Sequence, residues 1–499
     1  MPISSRWNIP IPSVSLPAFL FTSASHPLPT TPLLIDADRP ATHYLTHASF
    51  RLWSQRFAAG LVAAGLQPGD RVLLFAGNNI FFPVVFLGIL MAGGVFTGAN
   101  PGYVERELAY QLSNSGASFL LCADASLKLG LSAASSAGMS RDRVFAFDDR
   151  VFDDADVEGR LGVQNWSTLV ESEDVGRAFK WREPRDPGEE VCCLNYSSGT
   201  TGMPKGVMIS HYSYVANAVQ YNHLPTLHPE YKERTKKANW LCFVPMYHAM
   251  GQTIFITCGP KRGIPVYIMK KFDFIQMLES VQKFKISSLM MVPPIVVALA
   301  KSPLTKKYDL GSVVDLGSGA APLGGDVVKE AEALWPSGQT RMKQGWGMTE
   351  ATCSILGWDP TRAPNSSSVG ELNANCSAKI MDAAGQNEVP AGERGEIWVQ
   401  GPTIMKGYWR NKPATDEIFV DDPKTGRWMR TGDIAYVDSA GLFYIVDRLK
   451  ELIKVRGNQV AQEDRGGGCE GVSGKILRKI LRERAKEEVG DGKATPSKL

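Results

Sequence analysis

The sequence predicts an α/β fold: two helix-covered, largely parallel sheets, followed by a small β-barrel or sandwich-like subdomain. Three observations carry this expectation. Short apolar runs alternate with helical patterns from about 30 to 185, and again from about 186 to 368. From about 369 to 446 the pattern changes to short strands separated by glycine turns. The chain of 499 residues, 44% hydrophobic and 21% charged, has length enough for two to four domains or subdomains with large buried cores.

In the first series, residues 44–66 and 104–115 carry helical periodicity, while 71–75 and 119–121 read as strands. Residues 80–96 (IFFPVVFLGILMAGGVF) are nearly all apolar, which raises a membrane span. Their length is marginal and Pro83, Gly88, Gly93 and Gly94 interrupt them, so a buried helix of a large core is expected instead, with no transmembrane segment. Strand-like runs of the second series fall at 190–195, 240–243, 266–269, 288–292 and 313–317. Those of the β subdomain fall at 378–381, 396–400, 434–437 and 442–446.

Charge excludes a broad nucleic-acid face. The net +3 is concentrated behind residue 474, where eight Lys/Arg and four Asp/Glu make a local +4 and leave −1 for the rest. Eight scattered cysteines, with Cys192-Cys193 adjacent and no C-x-x-C pair, read as reduced thiols of an intracellular protein, and seven histidines show no metal spacing. The N-terminal twenty residues carry Pro2, Pro10, Pro12 and Pro17 and no signal-peptide pattern. The final tripeptide Ser497-Lys498-Leu499 is a peroxisomal address, so a peroxisomal matrix location and an import-receptor partner are expected.

The most informative run is Asn195-Tyr-Ser-Ser-Gly-Thr-Thr-Gly-Met-Pro-Lys-Gly-Val-Met-Ile-Ser-His211. Gly199, Gly202 and Gly206 allow close approach of backbone N–H groups to a polyphosphate. Ser197, Ser198, Thr200 and Thr201 can donate to phosphoryl oxygens, and Lys205 is a point charge. Because Gly206 follows Lys205, this is not a Walker A loop.

With Pro204-Lys205-Gly206 in register, the run resembles the phosphate loop of the adenylate-forming superfamily of acyl-CoA ligases, luciferases and peptide-synthetase adenylation domains. The resemblance extends from about 42 to 459 and is nearest to fungal 4-coumarate–CoA ligase-like enzymes. It implies ATP, Mg²⁺ and coenzyme A as co-substrates and cofactor, and a small carboxylic acid as substrate.

The further motifs keep the family's order. In Met246-Tyr247-His248, the resemblance puts His248 beside the substrate carboxylate and Tyr247 in the wall of the acyl pocket. Gly317-Ser-Gly-Ala-Ala-Pro-Leu323 closes a strand with small residues, implying adenine contact at Ala320 and acyl-pocket space at Gly319. Gln344-Gly-Trp-Gly-Met-Thr-Glu350 resembles the adenine and magnesium motif: Gln344, Gly345 and Trp346 at the base and acyl group, Thr349 at the α-phosphate, Glu350 on Mg²⁺. Trp346 stands where tyrosine is more usual. Thr349 capping a helix with Glu350 in its first turn is a compatible reading.

Arg430-Thr-Gly-Asp433 implies a ribose-binding carboxylate at Asp433. In the segment 447–460 the resemblance assigns Arg448 to the nucleotide, Lys450 to a hinge, and Lys454 and Gln459 to catalysis. Lys271 matches a lysine near the coenzyme A phosphates, with a solvated surface lysine as the rival reading.

The resemblance implies a large AMP-binding domain over residues 1–446 and a hinge with the start of a C-terminal domain over 447–460. It then breaks: 461–472 (AQEDRGGGCEGV) resembles nothing in the small α+β lid that normally follows for about a hundred residues. It resumes at Ser473-Gly-Lys-Ile-Leu-Arg478, which carries the catalytic Lys475. Residues 461–499 therefore read as a truncated lid remnant. Lys475 lies 25 residues past Lys450, up to roughly 80–90 Å when extended, so preorganisation rather than reach is what the loss removes. The implied activity is ATP-dependent conversion of an acid through acyl-AMP to acyl-CoA, impaired in its second step. A non-catalytic AMP- or acid-binding protein and a luciferase-like second step are the alternatives.

Overall fold

The computed structural model describes residues 2–21, 27–153, 157–197, 203–335, 338, 340–365, 367–448, 453–455 and 458–460. Two seven-stranded sheets and one six-stranded sheet account for most of its strands.

The first sheet runs Gly407–Tyr408, Lys205–Ser210, Val191–Ser197, Val95–Ala99, Arg71–Phe75, Ala117–Ala123, Val144–Phe147. Its last five strands are mutually parallel, and the first two are antiparallel additions at one edge. The second sheet runs Met342–Gln344, Asp315–Ser318, Ser288–Met291, Trp240–Cys242, Val266–Ile268, Pro32–Asp36, Tyr44–Thr46, parallel except for the last. Neither sheet is one continuous stretch of chain: Pro32–Asp36 joins the second, and Val191–Ser197 joins the first. The third sheet is antiparallel: Ile3–Ser4, Ser377–Met381, Gly395–Gln400, Gly426–Val437, Phe419–Asp422, with Phe443–Arg448 also on Gly426–Val437. Register breaks between Glu396 and Trp398, and between Ile434 and Ala435, curl it into a half-barrel.

The apolar stretch at 80–96 becomes helix Phe82–Met91, buried at every residue and started by Pro83 in its first turn, then strand Val95–Ala99. No helix among the described residues is long and apolar enough to cross a membrane. The helical pattern at 44–66 is shorter than expected, because Tyr44–Thr46 forms the sheet's edge strand and the helix is His47–Ala63. Thr46 caps it reciprocally: its Oγ1 accepts from Ser49 N at 3.0 Å, and its own N–H donates to Ser49 Oγ at 2.8 Å. The strand expected at 313–317 is shifted to Asp315–Ser318, since Val313 turns back to donate to the Leu310 carbonyl.

One element was not expected. After strand Trp240–Cys242 the chain enters a π-helix, Gly251–Cys258, continued by helix Gly259–Arg262. It begins at Gly251 because a Cβ there would lie 2.3 Å from the Pro245 carbonyl oxygen. π-helical turns are rare in proteins and are found frequently at functional sites.

Candidate active site

A cavity of about 1100 Å³ opens where the C-terminal ends of the second sheet's strands face the half-barrel. This is where open α/β sheets bind ligands, and the volume sits at the upper end of the roughly 300–1,000 Å³ of single-ligand pockets. Ser197, Lys205, Tyr247, His248, Gly319, Ala320, Gln344, Gly345, Trp346, Thr349, Glu350 and Lys271 all line it. These residues, far apart in sequence, are brought together.

Strand Val191–Ser197 and strand Lys205–Ser210 form a hairpin whose last register pair is Ser197 with Lys205, so the glycine-rich loop is closed at its base. Ser198, Gly199, Thr200 and Thr201 lie outside the described residues. The Lys205 ammonium sits 4.8 Å from the centroid of the Tyr408 ring, and the Tyr408 hydroxyl donates to Glu350 Oε1 at 2.9 Å. Burial and the adjacent Glu350 push the Tyr408 phenol well above its ordinary value, so it stays a donor. Lysine, phenol and carboxylate thus form one line across the phosphate end.

Glu350 is 7% exposed and stands alone: the described residues hold no group of three metal-ligating side chains. A lone buried carboxylate beside the glycine-rich hairpin is a donor of the kind Mg²⁺ takes, since that ion keeps waters and phosphate oxygens rather than filling an all-protein cage.

At the base end, Gln344 uses its side chain structurally. Its Oε1 accepts from Leu323 N and its Nε2 donates to the Leu323 carbonyl, each at 3.1 Å. That clamp holds the loop in which Ala320 adopts φ +71°, a left-handed backbone uncommon for a residue with a Cβ. Trp346 is buried, and its indole N–H donates to Asp433 Oδ2 at 2.9 Å. The cavity wall there is Arg430, Thr431 and Gly432, with Asp433 one residue beyond and 4% exposed. Asp433 and Arg448 are register partners across the antiparallel pair. Glu396 sets this corner: it accepts from Arg430 Nη2 at 3.1 Å, Gly432 N at 3.0 Å and Trp398 Nε1 at 2.9 Å.

At the acyl end, the rings of Tyr247 and His248 lie 4.7 Å apart between centroids. Burial pushes the Tyr247 phenol up to about 12. A Cβ on Gly345 would meet nothing within 4 Å, and one on Gly319 only the Gly345 carbonyl at 3.8 Å, so both leave real space. At the rim, Lys270 is ion-paired to Asp149 at 2.7 Å and Asp36 at 3.5 Å, whereas the exposed Lys271 makes no ion pair among the described residues.

Lys454 and Gln459 are register partners in the hairpin of Ile453–Val455 and Asn458–Val460. Lys450, Lys475 and Ser497-Lys498-Leu499 lie outside the described residues.

Several residues escaped sequence reasoning. Tyr408 and Glu396 carry no local motif. Gln252, on the π-helix, exchanges hydrogen bonds with Asn195 at 2.9 and 3.1 Å, accepts from the Tyr214 hydroxyl, and donates to the Tyr247 carbonyl at 3.1 Å. Asn78 receives Met246 N at 2.9 Å and donates to the Val244 carbonyl at 3.1 Å. Together these amides fix the His248 loop against the phosphate hairpin.

Comparison with known proteins identifies the family. The model of the AMP-binding enzyme family matches residues 22–409. A 4-coumarate–CoA ligase of Petroselinum crispum is 33% identical over 423 residues, covering 83% of this chain and 73% of that protein. Among solved structures, an anthranilate–CoA ligase in complex with anthranoyl-AMP superposes with a TM-score of 0.81 at 18% identity, over 97% of this chain and 99% of that one. ATP-bound MatB of Rhodopseudomonas palustris gives 0.73 at 25% identity, over 91% and 84%. The chain belongs to the AMP-binding enzyme family and, within it, to the AMP-forming acyl-CoA synthetases, a class of acid–thiol ligases.

Proposed function

We propose that this chain activates a carboxylic acid with ATP and passes the acyl group to coenzyme A. In the first step a carboxylate oxygen attacks the α-phosphorus; the bond to the pyrophosphate oxygen breaks, leaving acyl-AMP and pyrophosphate. In the second, the coenzyme A sulfur attacks the acyl carbon, AMP departs with the former carboxylate oxygen, and the thiol proton is lost to solvent.

The observation that carries this reading is the line Lys205–Tyr408–Glu350 at the foot of the phosphate hairpin, facing His248 across one cavity. Lys205 and the loop it closes would offset phosphate charge, and preorganised charge of this kind is a large catalytic term. Glu350 would hold Mg²⁺, with Tyr408 fixing the carboxylate; the ion, when bound, neutralises phosphate charge. His248 would orient the acid carboxylate, Thr349 the α-phosphate, and Trp346 with Ala320 the adenine. Asp433, oriented by Trp346, and Arg448 would hold the ribose side. Lys271 would meet coenzyme A at the rim.

Lys454, Gln459 and Lys475 are proposed to complete catalysis when the segment beyond Lys450 turns over the site. Since 461–472 departs from the family pattern, thioester formation is proposed to be slow relative to adenylation. Peroxisomal import through the terminal tripeptide is proposed from the sequence alone; loss of organelle targeting on deleting Leu499 from a fluorescent fusion would support it, and unchanged targeting would refute it.

The test of function is mass-spectrometric detection of acyl-AMP and acyl-CoA from the purified protein with MgATP, coenzyme A and a panel of acids. Acid-dependent acyl-AMP supports the reading. No product despite bound ATP refutes it.

A further inference from the structure

The cavity does not stop at the strand ends where the reacting groups meet. It also touches Trp240, Ser288 and Asp315, the first residues of three parallel strands whose far ends border the acyl site. From Asp315 to Gly319 the sheet covers roughly 13 Å at about 3.3 Å per residue. The cavity therefore runs the length of the sheet, roofed by Tyr221 and Leu224 of helix His211–Thr226. Its middle is apolar, with Ile254, Met290 and Leu356 in the wall.

The far end is not. Helix Gly259–Arg262 ends the return from the strand tips to the start of the sheet, and Arg262 closes it. The guanidinium carbon lies 5.4 Å from the Tyr231 ring centroid and 5.5 Å from that of Trp240, so two aromatic rings flank it. Nη2 donates to Thr235 Oγ1 at 3.0 Å. Nε is buried with no hydrogen-bond partner, and among the described residues no carboxylate lies within ion-pair distance of Arg262. The acid that does line this end, Asp315, is already paired with Lys343 at 3.3 Å. Arg234 adds a second cation to the same wall. Arg262 is half-buried, but a buried N–H such as its Nε is normally matched by an acceptor, and a planar guanidinium fork suits a carboxylate.

We infer that Arg262 receives a second carboxylate at the distal end of the acid, making the preferred substrates α,ω-dicarboxylic acids with an apolar middle. This rests on the adenylating reading above. One carboxylate reacts beside His248; the other, unreacted, is held about one strand length away.

The test is calorimetric binding of two non-hydrolysable mimics to the full 499-residue protein: the sulfamoyl-adenosine conjugates of decanoic acid and of decanedioic acid. Turnover is not needed. The diacid conjugate is expected to bind at least about tenfold more tightly, as a charge-assisted pair in a half-buried site allows. Arg262→Leu should bring the two conjugates to equal affinity, and Arg262→Lys should keep part of the preference. Retained AMP binding by each variant shows an intact fold. Equal affinities in the unsubstituted protein, or a preference that survives Arg262→Leu, would overturn the inference while leaving the adenylate site intact. Failure of both conjugates to bind would instead overturn the adenylate site, and this inference with it.

Discussion

Gln252 ties the phosphate hairpin to the acyl loop, and replacing it by leucine isolates that tie. Four hydrogen bonds disappear: two with Asn195, one from Tyr214 and one to the Tyr247 carbonyl. Asn195 is partly compensated, because its Nδ2 lies 3.2 Å from the Tyr214 hydroxyl and its Oδ1 accepts from Cys193 Sγ at 3.2 Å. The Tyr247 carbonyl loses its Gln252 donor outright. Leaving the compensated Asn195 bonds aside, about 1 kcal/mol for the Tyr214 bond and about 1–3 kcal/mol for the orphaned Tyr247 carbonyl give a cost of about 2–4 kcal/mol. Urea unfolding measures this, and titration with an acyl-adenylate mimic measures the loss of alignment at the site. The double variant Asn195→Leu/Gln252→Leu removes both sides of the reciprocal pair, so it should recover at least about 1 kcal/mol relative to the sum of the singles. A single-variant cost below about 1 kcal/mol, with unchanged mimic affinity, would refute the argument that this network positions the acyl loop.

Tyr408→Phe keeps the ring near Lys205 but strips Glu350 of its donor. A hydrogen bond to a charged group is worth about 1.5–3 kcal/mol, so MgATP affinity should fall by about tenfold or more by calorimetry. Gly345→Val places its Cβ in open space, so the unfolding midpoint should hold while affinity for an acyl-adenylate mimic falls further than that for AMP. His211 supplies a pH test: burial pulls its imidazole down to about 4, and Leu16 N donates to its Nδ1 at 3.3 Å. The native ring stays neutral where the unfolded ring takes a proton. That stabilisation is therefore full above an unfolded value of about 6.5 and is lost as pH falls toward 4, by at most about 3 kcal/mol. His211→Gln should flatten the stability profile in that window, as read from urea midpoints at pH 4.5 and 7.5.

The strands were legible because their signal is local. Arg71–Phe75 has the bounds expected from the sequence, and Trp240–Cys242 and Val266–Ile268 lie within one residue of theirs. Apolar runs bounded by turn residues need no tertiary information. The edge strand Tyr44–Thr46 was hidden by the helical pattern that follows it, although the Thr46 and Ser49 capping pair marks the true start. The π-helix was not legible at all: the demand for Gly251 comes from the Pro245 carbonyl, a contact made only once the loop is folded. The site divides in the same way. Runs such as 195–211 and 344–350 announce themselves because backbone, hydroxyl and charge sit within a few residues. Tyr408, Glu396 and Arg262 gain most of their meaning from partners tens to hundreds of positions away. Gln344 and Asp433 are instructive between these cases, since the residue types were visible but their hydrogen bonds to Leu323 and Trp346 were not.

The central claim is that the body carrying Lys205, Glu350 and His248 activates an acid. The most direct measurement is acid-dependent exchange of radiolabelled pyrophosphate into ATP, which reports reversible adenylation without any need for coenzyme A. Exchange is expected to require acid and Mg²⁺ and to be abolished by Lys205→Ala. Exchange that is absent with every acid, although ATP binds by calorimetry, would contradict it.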